Sequence, residues 1–402
     1  MNPANSNILT INGGSSSIRF ALYDITNNLQ NIFLGKIDRV GMDNSQMTVT
    51  FDNSNEKKNL DIANIHNFKD AADFLIRWLE KQEGFNEVRC IGHRIVYGIQ
   101  HSGPEIIDGD LLEELQQITE YDMDHLPAEI EMIKLFKKHY PSLLQVACFD
   151  TSFHITMPRL AKILPIPRRF DEAGIHRYGF HGLSYSYLME ELKNKTGNNL
   201  VNEKIILAHL GNGASLAAVK EGKSIDTSMG FTPTGGIMMG TRCGDIDPGV
   251  AWYIMQSEKM SVSQFNKLIN HESGLLGVSE ISSDMQELLA KEDSDIRAAE
   301  TIGLFCYQAK KWIGAFTAAL SGLDTLVFSG GIGENAPIVR SRICEGLQYI
   351  GIELDEVQNK NSAFQISTAN SKVNVYVIPT NEELMIAKIT AGIYNELEII
   401  NN

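Results

Sequence analysis

NILTINGGSSSIRFALYD, residues 7–24, and KIILAHLGNGASLAAVKEGKSID, residues 204–226, follow one plan. In each, an apolar run meets a tight glycine-rich turn and a second run leaves it. After the first turn, Ile18, Phe20 and Leu22 alternate with Arg19, Ala21 and Tyr23. Period-two alternation on the far side of a turn predicts a second strand, hence a β-hairpin. The same plan repeated far down the chain predicts a duplicated domain with a cleft between the halves, the usual place for a ligand. A third run, TLVFSGGIGENAPIVR at residues 325–340, predicts a buried strand, a glycine turn and a helix with Pro337 in its first turn. Residues 67–81 place Phe68, Ala71, Ala72, Leu75, Trp78 and Leu79 on one helical face, and residues 298–320 read as a long apolar-periodic helix. Alternating strands and helices indicate an α/β architecture.

Glycine lets the backbone enter positive φ and lets a phosphate approach the N–H groups. The first turn, Asn12 to Ser17, adds the hydroxyls of Ser15, Ser16 and Ser17. It lacks GxxxxGK[ST] and leads into a strand, so it is not a Walker P-loop. Three such turns, each after an apolar strand, resemble the two phosphate loops and the adenosine loop of the actin, sugar-kinase and Hsp70 superfamily. That likeness concerns fold and leaves function open.

Composition narrows the function classes. A chain of 402 residues implies two or three domains. Its net charge of −15 argues against a nucleic-acid binder, which needs excess Lys and Arg. An anionic substrate must then be drawn in by a local basic site. The cysteines, Cys90, Cys148, Cys243, Cys306 and Cys344, form no CxxC pair, which fits a reducing compartment rather than a disulfide or zinc framework. MNPANSNILTINGG carries no signal-peptide pattern, and no apolar run is long enough for a membrane span. A cytoplasmic protein is expected.

Longer strings narrow the reading further: GHRIV (92–96), FDTSFH (149–154), RYGFHGLS (177–184), HLGNGAS (209–215), DTSMGFTPTGGIMMGTRCGDIDPG (226–249), GGIGEN (330–335) and PTNEELMIA (379–387). In this order, and over nearly the whole length, they resemble the acetate kinase family. The resemblance implies a homodimer of two-domain subunits, each domain ribonuclease-H-like, with the last helix returning to the first domain. It places residues 1–151 plus 385–402 in the N-terminal domain and 152–384 in a nucleotide-binding C-terminal domain. It implies reversible, Mg2+-dependent, in-line phosphoryl transfer from ATP to acetate, giving acetyl phosphate and ADP. Mn2+ is an alternative metal, and propionate or another short carboxylate an alternative substrate. The reading from a different class is an actin- or Hsp70-like nucleotide-regulated binding protein.

Phosphoryl transfer needs positioning and charge neutralisation above all. The residues matching the family's cationic pair are Arg94 and Arg242, and guanidinium offers forked donors to phosphate or carboxylate oxygens. His181 matches a histidine that stabilises the transition state, and Asp150 the catalytic aspartate. A carboxylate substrate is already ionised near pH 7, with a pKa of about 4. Asp150 is therefore read as orienting an arginine or a metal-bound water. Asn12 and Glu382 match the metal positions, with Glu383 the rival to Glu382. The acid side maps to Arg94, Val96, His125, Phe180 and Pro233. The nucleotide side maps to Arg19, to His209, Leu210, Gly211, Asn212 and Gly213, to Asp284, Met285 and Gln286, and to Gly330, Gly331, Ile332, Gly333 and Glu334. Asp245 and Asp247 are either supporting acids or members of Asx turns.

Three departures stand out. Arg19 replaces the usual Lys of the first hairpin, and Gln286 the usual Arg. Met123-Asp124-His125-Leu126-Pro127 replaces PLHNP, while Tyr97 and Ile99 stand where His and Gly are common. A buried unpaired charge is costly, so Asp124 is expected to be solvated, paired with His125, or turned away.

Overall fold

Strand β1 (Asn7–Gly13) is buried along its whole length, which requires cover on both faces of its sheet. β2 (Ser17–Asp24) pairs with it antiparallel, setting Ile11 opposite Phe20 and Asn12 opposite Arg19. This is the hairpin expected from the alternation. The computed structural model describes residues 6–14, 17–42, 45–51, 56–62, 65–99, 101–197 and 200–401. Of the three hydroxyls expected in the first turn, those of Ser15 and Ser16 lie outside these residues.

β3 (Gln30–Asp38), β4 (Gln46–Phe51) and β5 (Glu56–Asp61) continue the antiparallel meander. β6 (Val88–Ile95) lies parallel to β1 on its other side. The short β7 (Glu105–Ile106) edges the sheet beyond β8 (Leu144–Phe149), which is parallel to β6. The order is β5-β4-β3-β2-β1-β6-β8-β7. A second sheet holds β9 (Lys204–Leu210), β10 (Ala214–Lys220), β11 (Lys223–Thr227), β12 (Thr325–Ser329) and β13 (Asn374–Val377), in the order β11-β10-β9-β12-β13. The runs β3-β2-β1-β6-β8 and β11-β10-β9-β12-β13 share one connectivity. In each, three antiparallel strands come first and two more are then added in parallel beside the first strand. The duplicated ribonuclease-H-like α/β fold is thus present twice.

The chain divides into two compact units, Met1–Ser152 with Asn381–Asn402, and Phe153–Thr380. In the first unit, alternation sends Leu9, Ile11, Ile18, Phe20 and Leu22 to one face. There they pack on Ala72, Leu75 and Ile76 of the helix Phe68–Leu79 and on Met132, Leu135 and Phe136 of the helix Leu126–His139. Asn67 caps the first of these helices by accepting from the Asp70 N–H. Fully burying each such Leu, Ile or Phe is worth about 1.5–3 kcal/mol. Ile8, Ala21 and Tyr23 face the other way and lie under Ala387 and Ala391 of the helix Glu382–Asn401. The second set of the β2 alternation is therefore covered, not solvated; only Arg19, near the turn, is exposed. Close docking of this last helix depends on Gly92. A Cβ there would stand 2.2 Å from Thr390 Oγ1 and 2.6 Å from Ile386 Cγ2.

In the second unit the long helix runs Ile296–Leu320, with Asp295 as its N-cap. The GGIGEN segment differs from expectation: it winds into its own short helix, Gly330–Asn335, before the helix Pro337–Cys344. Two features permit this. Gly330 takes φ +77° with its Cα so close to β9 that a Cβ would stand 2.7 Å from Leu210 O. The Glu334 carboxylate also folds back and accepts from the Gly330 N–H at 2.8 Å, satisfying a first-turn donor from within. No helix among the described residues is long and apolar enough to cross a membrane.

Candidate active site

Arg94 lies near the end of β6, beside the Asn12–Gly13 end of β1. Its Nε and one terminal nitrogen donate to Asp150 Oδ2 at 2.9 and 2.6 Å. The other terminal nitrogen donates to Asn12 Oδ1 at 3.4 Å and Gly13 O at 3.3 Å. Asp150 is 1% exposed, and its own N–H donates to Ile95 O. Burial disfavours the Arg94 charge, but the carboxylates of Asp150 and Glu382 outweigh it and hold the guanidinium above its ordinary range. Asp150 orients the arginine, and one guanidinium edge is turned toward the first glycine turn.

Asn12 also donates to Glu382 Oε2 at 3.0 Å and to Glu383 Oε1 at 3.4 Å. The two adjacent acids, equivalent in sequence, are distinct in structure. Glu382 is half-buried, whereas Glu383 is buried and its carboxyl is raised above the usual range, first by burial, against the pull of Arg19. Arg19 therefore belongs with Asn12 and Glu383 in the first unit, away from the other nucleotide candidates in sequence and in unit.

His125 is buried and meets a carboxylate, that of Asp122: Nδ1 lies 2.9 Å from Oδ1, and the His125 N–H donates to the same oxygen. Asp124 is half-buried. Val96 is buried, and its N–H donates to both oxygens of Glu129 at 3.3 and 3.2 Å. Tyr97 stacks on Tyr121 at 6.0 Å between centroids. Ile99 takes φ +37°, a strained conformation for a β-branched side chain and one that glycine would adopt freely. The segments 96–99 and 121–125 thus meet through Tyr97 and Tyr121.

In the second unit His181 sits at φ +61° ahead of the helix Gly182–Thr196, and its Nδ1 is 2.9 Å from Ser215 Oγ. Tyr185 OH bonds the same hydroxyl. The His181 ring stacks on His209 at 4.4 Å, and His209 Nδ1 is 2.8 Å from Ser184 Oγ. At Gly213 a Cβ would stand 3.2 Å from His181 Nε2 and 3.9 Å from an Arg242 terminal nitrogen. The second glycine turn thus gathers His181, His209 and Arg242. Arg242 also donates to Pro233 O at 3.2 Å. Parallel pairing of β9 with β12 places the third glycine segment beside the second: Gly331 N lies 3.6 Å from where a Gly211 Cβ would be. Asn212 packs against Gly240, which in turn lies beside Ser283 O.

Other expected residues have local duties. Asp284 is the N-cap of the helix Met285–Lys291, accepting from Gln286 N at 2.7 Å, while Met285 is buried and Gln286 exposed. Glu334 Oε1 accepts from Gly330 N and, at 3.1 Å, from Thr380 N. Asp245 accepts from Gly236 N, and Asp247 caps the helix Pro248–Ser257 as an Asx turn. Phe180 is buried, and its carbonyl accepts from His154.

Sequence reading missed Asp122, Glu129 and Arg340. Asp122 precedes His125 by three residues, a spacing that suits a local bond. Glu129 interrupts the apolar set Leu126, Ile130 and Ile133, and Arg340 interrupts Val339 and Ile343; a charge in a core phase was the available signal.

A family model described as the acetokinase family matches residues 7–388. The chain belongs to the acetokinase family. It is an ATP-dependent kinase. An acetate kinase of Clostridium kluyveri is 41% identical over 394 residues, covering 95% of this chain and 96% of that protein. The crystal structure of Porphyromonas gingivalis acetate kinase matches with a TM-score of 0.86 at 35% identity, covering 97% of this chain and all of that one (100%). A propionate kinase from Francisella tularensis matches with a TM-score of 0.89 at 36% identity, covering 96% and 99%. These acetokinase relatives span both units.

Proposed function

We propose that this acetokinase transfers a phosphoryl group reversibly and in line between ATP and acetate, forming acetyl phosphate. The observation that carries the reading is Arg94, fixed by Asp150 with one guanidinium edge toward the Asn12–Gly13 turn. Arg94 binds the anionic acid and Arg242 neutralises the phosphoryl oxygens, each as a permanently charged fork. Ser215, itself bonded to Tyr185, engages His181 Nδ1, and Nε2 is the nitrogen beside Gly213. From there it donates to a phosphoryl oxygen. Asp150 takes no proton, since the acid arrives ionised. The nucleotide lies along His209–Gly213 and Gly330–Glu334.

Asn12 Oδ1 and the half-buried Glu382 carboxylate are hard oxygen donors of the kind Mg2+ takes alongside substrate phosphates; buried Glu383 is the poorer ligand. When bound, the metal supplies positive charge to the phosphates. The likeness to a propionate kinase and the rebuilt 121–125 segment keep propionate or another short acid as the second reading. Homodimerisation is proposed from the helix Pro248–Ser257, which has no buried residue and exposes Trp252 (68%) and Tyr253 (65%). A cytoplasmic location accords with five free cysteines.

The test is trapping of acyl phosphate with hydroxylamine across a panel of short acids. Product with acetate above the others supports the proposal; propionate in the lead selects the alternative. ATP hydrolysis that ignores every acid sinks both.

A further inference from the structure

Glu129 is a carboxyl group 3% exposed, in the first turn of the helix Leu126–His139, with a single donor among the described residues, the Val96 N–H, shared between its two oxygens. Its Cγ lies 3.6 Å from where a Cβ on Gly13 would stand, so it adjoins the first glycine turn. Its charged surroundings are Arg94 on β6, Asp150 after β8, and Asp122, with its partner His125, ahead of the helix. Arg94 is already engaged by Asp150. An ionised Glu129 would be a third carboxylate competing for that cation, and it would repel an incoming anion. Burial pushes the carboxyl well above the usual range, and Asp122 and Asp150 push the same way. Arg94 and the Val96 N–H oppose them. The helix N-terminus also favours the anion, but at this depth desolvation is the larger effect.

We propose that Glu129 is a positioning residue of the anion half-site: as an uncharged acid it braces the Val96 amide at the end of β6 and leaves the charge of Arg94 to the substrate. The inference rests on the proposed acid-kinase reading. Its consequence is directional. As pH rises and Glu129 ionises, the KM for the carboxylic acid rises, while kcat changes less.

The experiment measures kcat and KM for the acid from neutral pH upward in the wild type, Glu129→Gln and Glu129→Leu. The wild-type KM is expected to rise at least about fivefold toward alkaline pH. Glu129→Gln, which keeps the bracing but cannot ionise, shows no such rise; Glu129→Leu, which cannot brace, has a raised KM at every pH. A flat wild-type KM, or a Glu129→Gln profile that superposes on the wild type, overturns the inference. A second measurement needs no turnover. The infrared carbonyl band of a protonated carboxylic acid, present near neutral pH in the wild type, is lost in Glu129→Gln. Identical spectra overturn the inference even if no acid is turned over, an outcome that would by itself refute only the proposed activity.

Discussion

Arg340 is wholly buried, yet among the described residues no carboxylate is bonded to its guanidinium. Nε donates to Asn359 Oδ1 at 2.8 Å; one terminal nitrogen donates to Gly333 O and Glu334 O at 2.7 and 2.9 Å; the other donates to Asn359 O at 2.6 Å and Ser362 Oγ at 3.0 Å. Burial lowers its pKa to about 10, which leaves it charged at neutral pH. Replacing it with methionine keeps much of the volume and removes every donor. Glu334 O would retain the Ser362 hydroxyl, and Asn359 O the Ser362 N–H. Gly333 O and Asn359 Oδ1 lose the guanidinium. Two stranded acceptors at about 1–3 kcal/mol each give about 2–6 kcal/mol, and relief of the buried charge lowers the net. We predict a loss of about 3 kcal/mol, or about 6–12 °C at about 2–4 °C per kcal/mol for a unit of this size. Because Gly333 and Glu334 lie in the last turn of the helix Gly330–Asn335, the nucleotide loop should loosen too. Calorimetric titration should show weaker ADP binding, with the KM for the acid changed less. Differential scanning calorimetry supplies the Tm. An unchanged Tm would refute the energetic reasoning; a lowered Tm with undiminished ADP affinity would refute the link to the loop.

Gly92→Ala should destabilise the first unit by about 1–3 kcal/mol in urea unfolding, the cost of overpacking; because the intruding Cβ meets Thr390 Oγ1 and Ile386 Cγ2, adding Thr390→Ala should recover part of it, and no recovery would point away from that contact. His154, wholly buried between Ser224 and Phe180 O, has its pKa lowered by burial from 6.5 to about 4. The unfolded chain therefore binds a proton first, and stability is lost as pH falls from about 6.5 through about 4, by about 3 kcal/mol at about 1.4 kcal/mol per pH unit; the stability gap between wild type and His154→Gln should narrow by that amount, and a pH-independent gap would contradict it. Trp252→Glu with Tyr253→Glu should convert a dimer to a monomer in sedimentation velocity without lowering the Tm of the second unit; a wild type that sediments as a monomer ends that reading.

The sequence displays elements whose signal is local. Both hairpins, the two long helices and the Pro337 start were legible because periodicity and turn chemistry act over a few residues. What required the fold was pairing at a distance. That Tyr23 faces a helix made of residues 382–401 could not be read from β2. That His125 takes Asp122 depends on how the 121–125 segment curls before its helix. Glu334 closes its own loop because Gly330 turns a donor toward it, a bond that needs the fold to be seen. Glu382 and Glu383 separate only when one is seen to be covered.

The helix Glu382–Asn401 docks on β1, β2 and β6, strands made before the whole second unit. During synthesis the face carrying Ile8, Ala21 and Cys90 must wait uncovered while residues 153–380 emerge and fold as a continuous unit. Closing so long a loop costs entropy that only the final packing repays, so the first unit should be the slower to mature. The same late step brings Glu382 to Asn12. A nascent chain therefore gains its proposed metal ligand in the act of sealing its core, and a half-made protein would neither hold its shape nor consume ATP.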